Sequence, residues 1–172
     1  MFVLKFLLII VFVIVFMQDI KERQVYWFLF PIIAICSGIL LYDNILTEMF
    51  FTTLLINMLF VLILLCVVYL YSKFKLKTGL SQTFGLGDGL LFSALAFTFS
   101  SISFITLFVF GLIFSLAIHL VLKRNSKYKT VPLAGYMSLF FAICYVSYWV
   151  GILKSVYTIW RKISTYRQLY CN

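Results

Sequence analysis

Two aspartates, Asp19 and Asp88, are the residues of this 172-residue chain best placed for chemistry. The chain holds five acidic residues, each beside long apolar runs. A carboxylate at membrane depth costs several kcal/mol unless it is paired or hydrated, so every one of them is a candidate for function. Asp43 and Glu48 lie in a short polar link with Asn44 and read as solvated loop residues, whereas Asp19, Glu22 and Asp88 fall on the opposite side of the membrane. Two carboxylates brought together at a low-dielectric boundary do not both ionise readily; one keeps its proton while the other stays charged. That asymmetry is what aspartic-protease chemistry requires. The ionised group takes a proton from the attacking water, and the protonated one hydrogen-bonds the scissile carbonyl and later supplies the leaving amine. Around Asp88 the run Phe84-Gly85-Leu86-Gly87-Asp88-Gly89 sets three glycines about one acid, which permits close approach of a second chain. Taken singly, each aspartate reads first as a helix cap or as the partner of Lys21 or another neighbouring cation, and it is the glycine setting of Asp88 that shifts the balance towards chemistry.

The elements that must position these acids are membrane spans. Hydrophobic residues make up 65% of the chain and charged residues only 11%, which excludes a soluble globule and leaves an all-α polytopic membrane protein. Apolar runs cover Phe6 to Met17, Tyr26 to Tyr42 and Phe50 to Tyr71. No small-x-small cleavage site follows the first, so it reads as a retained span rather than a signal peptide. From Leu90 to Leu122 the chain is apolar for a length that, as one helix, would measure about 50 Å, so it must turn back. The hydroxyl cluster Thr98-Phe99-Ser100-Ser101-Ile102-Ser103 is the expected corner. With Val131 to Ile152 this makes six spans in residues 1–153, and residues 154–172 form a basic aromatic tail expected along the interface. The loops after the first, third and fifth spans hold Lys21, Arg23, Lys73, Lys75, Lys77, Lys123, Arg124, Lys127 and Lys129; those after the second and fourth hold no Lys or Arg. The basic loops are therefore expected in the cytoplasm, the N-terminus outside, and Asp19 and Asp88 at the same cytoplasmic face.

The net charge of +9 suits contact with anionic lipid, and no groove-reading stripe of Arg and aromatic residues points to nucleic acid. Cys36, Cys66, Cys144 and Cys171 are scattered, which predicts neither a disulfide framework nor a zinc site. Asn57 reads as an interhelical hydrogen bonder, His119 as an interfacial anchor, and the boundary residues Tyr26, Trp27, Tyr42, Tyr69, Tyr71, Trp149 and Trp160 as an aromatic belt. The stretch Lys73 to Thr83 is the expected route of substrate entry.

Taken together, these features resemble the type IV prepilin peptidases, bacterial GxGD intramembrane aspartic proteases to which archaeal preflagellin peptidases are similar. The run from Gln18 to Val25 is similar to the family's first motif, Gly85-Leu86-Gly87-Asp88 to its second, and Val131-Pro132-Leu133-Ala134-Gly135-Tyr136, more weakly, to its third. The resemblance implies Asp19 and Asp88 as the catalytic pair, with Gly85 and Gly87 shaping the site. It implies removal of a basic leader from prepilin-like proteins at the cytoplasmic face of the cell inner membrane, for a pilus or a secretion system, without metal or organic cofactor. This chain departs from the family at three positions: Tyr26 follows Val25 where proline is common, Leu90 stands where many members carry lysine, and Gly135 replaces a second proline. Lys21 is the expected substitute for the missing lysine. Without the cysteine-bearing insert of larger members, the chain is similar to the short, peptidase-only branch, with no methyl transfer.

Two other readings compete. A small proton- or ion-coupled transporter would use Asp19 and Asp88 as carrying groups. A non-catalytic relative would keep the fold and lose the reaction, with Leu90 as the feature in its favour.

Overall fold

A computed structural model describes residues 2–76, 85–122 and 132–151. The described chain is helical, in the order α1 (Phe2–Glu22), α2 (Leu29–Tyr42), α3 (Thr47–Tyr71), a π-helical turn (Ser72–Leu76), α4 (Leu86–Leu95), α5 (Ser101–Leu122) and α6 (Leu133–Val150). Four stretches are long and apolar enough to cross a membrane: α1, Thr47–Phe74, α5 and α6. At 14 and 10 residues, α2 and α4 would measure about 21 and 15 Å, short of the ~30 Å hydrocarbon core. The tail 154–172 lies outside the described residues, as do residues 77–83 of the expected entry route and the basic residues Lys77, Lys123, Arg124, Lys127 and Lys129.

In α1 the buried residues Leu8, Val11, Phe12, Val15 and Asp19 recur at three- and four-residue spacing, so they form one stripe that ends on an acid. That stripe packs against α6, the most enclosed of the four long helices. The two run antiparallel: Gly135 meets Asp19 at one end, the rings of Phe12 and Tyr145 lie 6.2 Å apart midway, and Lys5 Nζ sits 5.3 Å from the Trp149 ring centroid at the other end. Helix α3 is peripheral, with only Asn57 and Val61 buried, and its apolar surface suits lipid. Between them α4 buries Leu91, Phe92, Ala94 and Leu95, and Phe92 stacks edge-on against Phe108 of α5 at 4.8 Å.

Helix α4 stops where the hydroxyl cluster begins. The helix is broken over residues 96–100 and resumes at Ser101, so Ser101, Ile102 and Ser103 form the first turn of α5 rather than part of the corner. Ser100 explains the restart: its carbonyl accepts the Phe104 amide at 2.7 Å. The free carbonyls of the break are satisfied by side chains from other helices, as irregular backbone at membrane depth requires. Asn57 Nδ2, near the middle of α3, donates to Ala96 O at 2.9 Å and Phe99 O at 3.0 Å; Tyr145 Oη of α6 donates to Thr98 O at 3.1 Å. Asn57 therefore joins helices, as its sequence position suggests.

Candidate active site

The site begins from an unmet need of α6. The first amides of any helix have no partner within it, and a side chain just before the helix usually accepts from them. Here that position is Pro132, which has no accepting side chain. Two aspartates supply the missing acceptors. Asp88 Oδ1 accepts the Ala134 amide at 2.9 Å, and Asp19 Oδ2 accepts the Gly135 amide at 2.6 Å. The donors are consecutive residues, so the carboxylates of α1 and α4 converge on one turn of a third helix. Both also gain from its positive end.

Local structure aims each acid. Asp19 closes the buried stripe of α1 and is only 8% exposed. Asp88 lies in the first turn of α4, ahead of the apolar run that begins at Leu90, with its own amide donating to Gly85 O at 3.0 Å. Burial, and then the negative charge of Asp19, raise the Asp88 carboxyl to about 6; amide hydrogen bonds from Ala134 and Gly85 act the other way.

The glycines have separate duties. A Cβ on Gly85 would stand 3.2 Å from Asp88 Oδ2, so its hydrogen leaves room for that carboxylate. Gly87 faces the Phe30 ring of α2, where a Cβ would make ordinary contact at 3.8 Å. The tightest position is Gly135. A Cβ there would lie 3.1 Å from both Cβ and Oδ2 of Asp19 and 3.4 Å from Phe16 O. A proline at 135 would also lack the N–H that Asp19 accepts.

The other two positions at which the chain differs from the motifs it resembles have physical explanations. Gln18 Oε1 accepts the Tyr26 amide at 3.3 Å, and Arg23 takes φ 56°, so the chain leaves α1 by a left-handed residue and a side-chain bridge. A proline at 26 would have no N–H to bridge. Leu90, two residues beyond Asp88, is turned about 200° around α4 from it. Leu90 lies instead with Leu65, Val68, Leu86 and Ser93 along an apolar cleft of about 280 Å³ between α3 and α4.

Lys21, two residues beyond Asp19, is likewise off the buried stripe and exposed. The cation whose charge acts on Asp19 is Arg23. The sequence places Arg23 only among the basic loop residues; it follows α1 directly, and its left-handed φ of 56° rather than helical spacing sets its direction. Among the described residues no cluster of three His, Cys, Asp or Glu side chains forms that could hold a metal ion. The arrangement therefore offers two adjoining carboxylates, fixed by main-chain donors and bordered by one guanidinium, a set suited to acid–base chemistry on water or to passing a proton. No family model matches this chain, and neither does any curated protein or solved structure.

Proposed function

We propose that this chain is a membrane-embedded aspartic endopeptidase that removes the basic leader of type IV prepilin-like proteins at the cytoplasmic face of the inner membrane, without methyltransferase activity. The observation that carries the reading is the convergence of Asp19 and Asp88 on consecutive amides of one helix, Gly135 and Ala134. Two acids this close, with one charge opposing the other, hold one proton between them, the state in which one acts as base and the other as acid. The GxGD sequence around Asp88 and the Asp-led basic motif at Asp19 add the similarity to prepilin peptidases. In this proposal all six apolar helices belong to the membrane domain. The N-terminus faces outward, and the short α4 ends within the bilayer at a corner that Asn57 and Tyr145 seal.

The test is leader cleavage in membranes. The protein is co-expressed with a panel of prepilin-like substrates, and wild type is compared with Asp19→Ala, Asp88→Ala and Asp43→Ala by gel mobility. Loss of cleavage in the first two variants but not the third supports the pair. Cleavage that survives Asp19→Ala or Asp88→Ala excludes the mechanism.

A further inference from the structure

The two carboxylates have different surroundings. Asp88 faces Asp19 and two neutral amides. Asp19 accepts from the same turn of α6, but Arg23, the first residue beyond α1 and four after Asp19, adds its charge to these surroundings. Arg23 is half-buried, and its Nε is enclosed. It also holds φ 56°, a left-handed conformation that costs an ordinary side chain about 1–2 kcal/mol and that glycine or asparagine adopts more readily at a helix end. Among the described residues it is the only non-glycine with positive φ. A left-handed residue just past the end of α1, with a half-buried side chain whose charge acts on the buried Asp19, points to a role for that cation.

We infer that Arg23 divides the labour of the pair: its guanidinium keeps Asp19 as the carboxylate that activates water and leaves the shared proton on Asp88, the donor to the leaving amine. The assignment rests on the peptidase reading for its chemistry. Water adds to the scissile carbonyl carbon as Asp19 takes its proton, while Asp88 hydrogen-bonds the carbonyl oxygen. The C–N bond then breaks, the carbonyl reforms, and the Asp88 proton goes to the amine nitrogen. Passage of the proton from Asp19 back to Asp88 resets the pair. Arg23 touches no reacting atom in this scheme and is a positioning residue.

The charged and titratable surroundings of Asp19 are few. Helix α4 presents Asp88, and the first turn of α6 presents its amides and Tyr136. Helix α2 has only Cys36 and Tyr42, both well beyond its first turn, and on α1 itself Lys21 and Glu22 are exposed. Lys5 falls on the line of the buried stripe but lies at the far end of α1 beside Trp149, which leaves Arg23 as the cation whose charge acts on Asp19.

The test uses the full-length protein in membranes and a carbodiimide, which adds to protonated buried carboxyls and is located by mass spectrometry. In wild type the adduct is expected mainly on Asp88. Arg23→Asn keeps a residue suited to the left-handed conformation but removes the charge, and it should lower the Asp88-to-Asp19 labelling ratio roughly tenfold or more. Arg23→Lys should restore most of that ratio, and Arg23→Gly, freest of backbone strain, should behave like Arg23→Asn. In cleavage, the acid limb of the kcat profile should move up by about one pH unit or more in Arg23→Asn, with KM little changed. Labelling that favours Asp19 in wild type, or a ratio the same in all four proteins, overturns the assignment. Because labelling needs no substrate, absence of cleavage by wild type would count against the peptidase reading alone, while the ratio would still decide the role of Arg23.

Discussion

Asp19 accepts the Gly135 amide at 2.6 Å across 116 residues of sequence, and the same glycine lacks a Cβ at the one place where a Cβ would press on that carboxylate. Gly135→Ala should keep the donor but displace Asp19, lowering the cleavage rate roughly tenfold for about 1–2 kcal/mol of misplacement. Gly135→Pro removes the donor as well and should cost more, near 100-fold, the worth of a hydrogen bond to a charged group. Initial rates on one substrate, normalised to inserted protein, check both values.

The aspartates cap α6 as well as adjoin each other, so substitutions should separate structure from chemistry. Asp19→Asn and Asp88→Asn keep an oxygen for the Gly135 and Ala134 amides and should fold yet cleave nothing. The alanine variants leave a buried amide unmet and should lose about 1–3 kcal/mol of stability in addition. Thermal unfolding in detergent beside the cleavage assay distinguishes the two series. An asparagine variant that cuts at the wild-type rate would remove that acid from the mechanism.

The raised Asp88 carboxyl has a pH signature. Its folded value, about 6, lies above the ordinary value of 3.8, so the folded protein holds this proton more tightly than the unfolded chain. The resulting stabilisation is complete below about pH 4 and is lost as the pH rises through about 6. The unfolding temperature of wild type should therefore fall between pH 4 and 7 more than that of Asp88→Asn. On the proposed peptidase reading cleavage needs this proton, and it should decline above about pH 6.

The seal of the α4–α5 break should matter for stability and not for chemistry. Tyr145→Phe removes the donor to Thr98 O and should cost about 0.5–1.5 kcal/mol. Asn57→Leu leaves the Ala96 and Phe99 carbonyls without that partner and should cost about 1–3 kcal/mol. Chemical unfolding measures both, and kcat of the remaining folded protein should stay near wild type.

Leu90→Lys introduces a cation on the face of α4 turned towards Leu65 and Val68. The pH profile of cleavage should not move. A shift comparable to that of the Arg23 variants would show that a cation at position 90 reaches the carboxylates.

Much of this protein is written locally. The apolar runs of Phe6 to Met17 and Phe50 to Tyr71 set α1 and α3, because an unbroken apolar stretch in a membrane must satisfy its own amides as a helix. The hydroxyl cluster after Phe97 marks the helix break, and the spacing of Leu8, Val15 and Asp19 puts the acid on the buried stripe. Spacing alone also takes Lys21, two residues on from Asp19, to the far face of α1. Arg23 lies past the helix end, where its left-handed backbone sets its direction.

What tertiary structure decided is the meeting of the acids and the way they are held. That Pro132 leaves α6 uncapped is visible in the sequence, but not that the acceptors come from α1 and α4, because a cap supplied from 46 and 116 residues away depends on helix packing rather than on any local pattern. The same holds for Gly135, whose missing Cβ matters only because Asp19 lies against it. It holds too for Asn57 and Tyr145, whose polar groups are placed by the carbonyls of a break on another helix. The helices follow from side-chain polarity repeated along the chain; the site follows from unpaired backbone groups, which satisfy themselves with whatever acceptor or donor the packed bundle brings near.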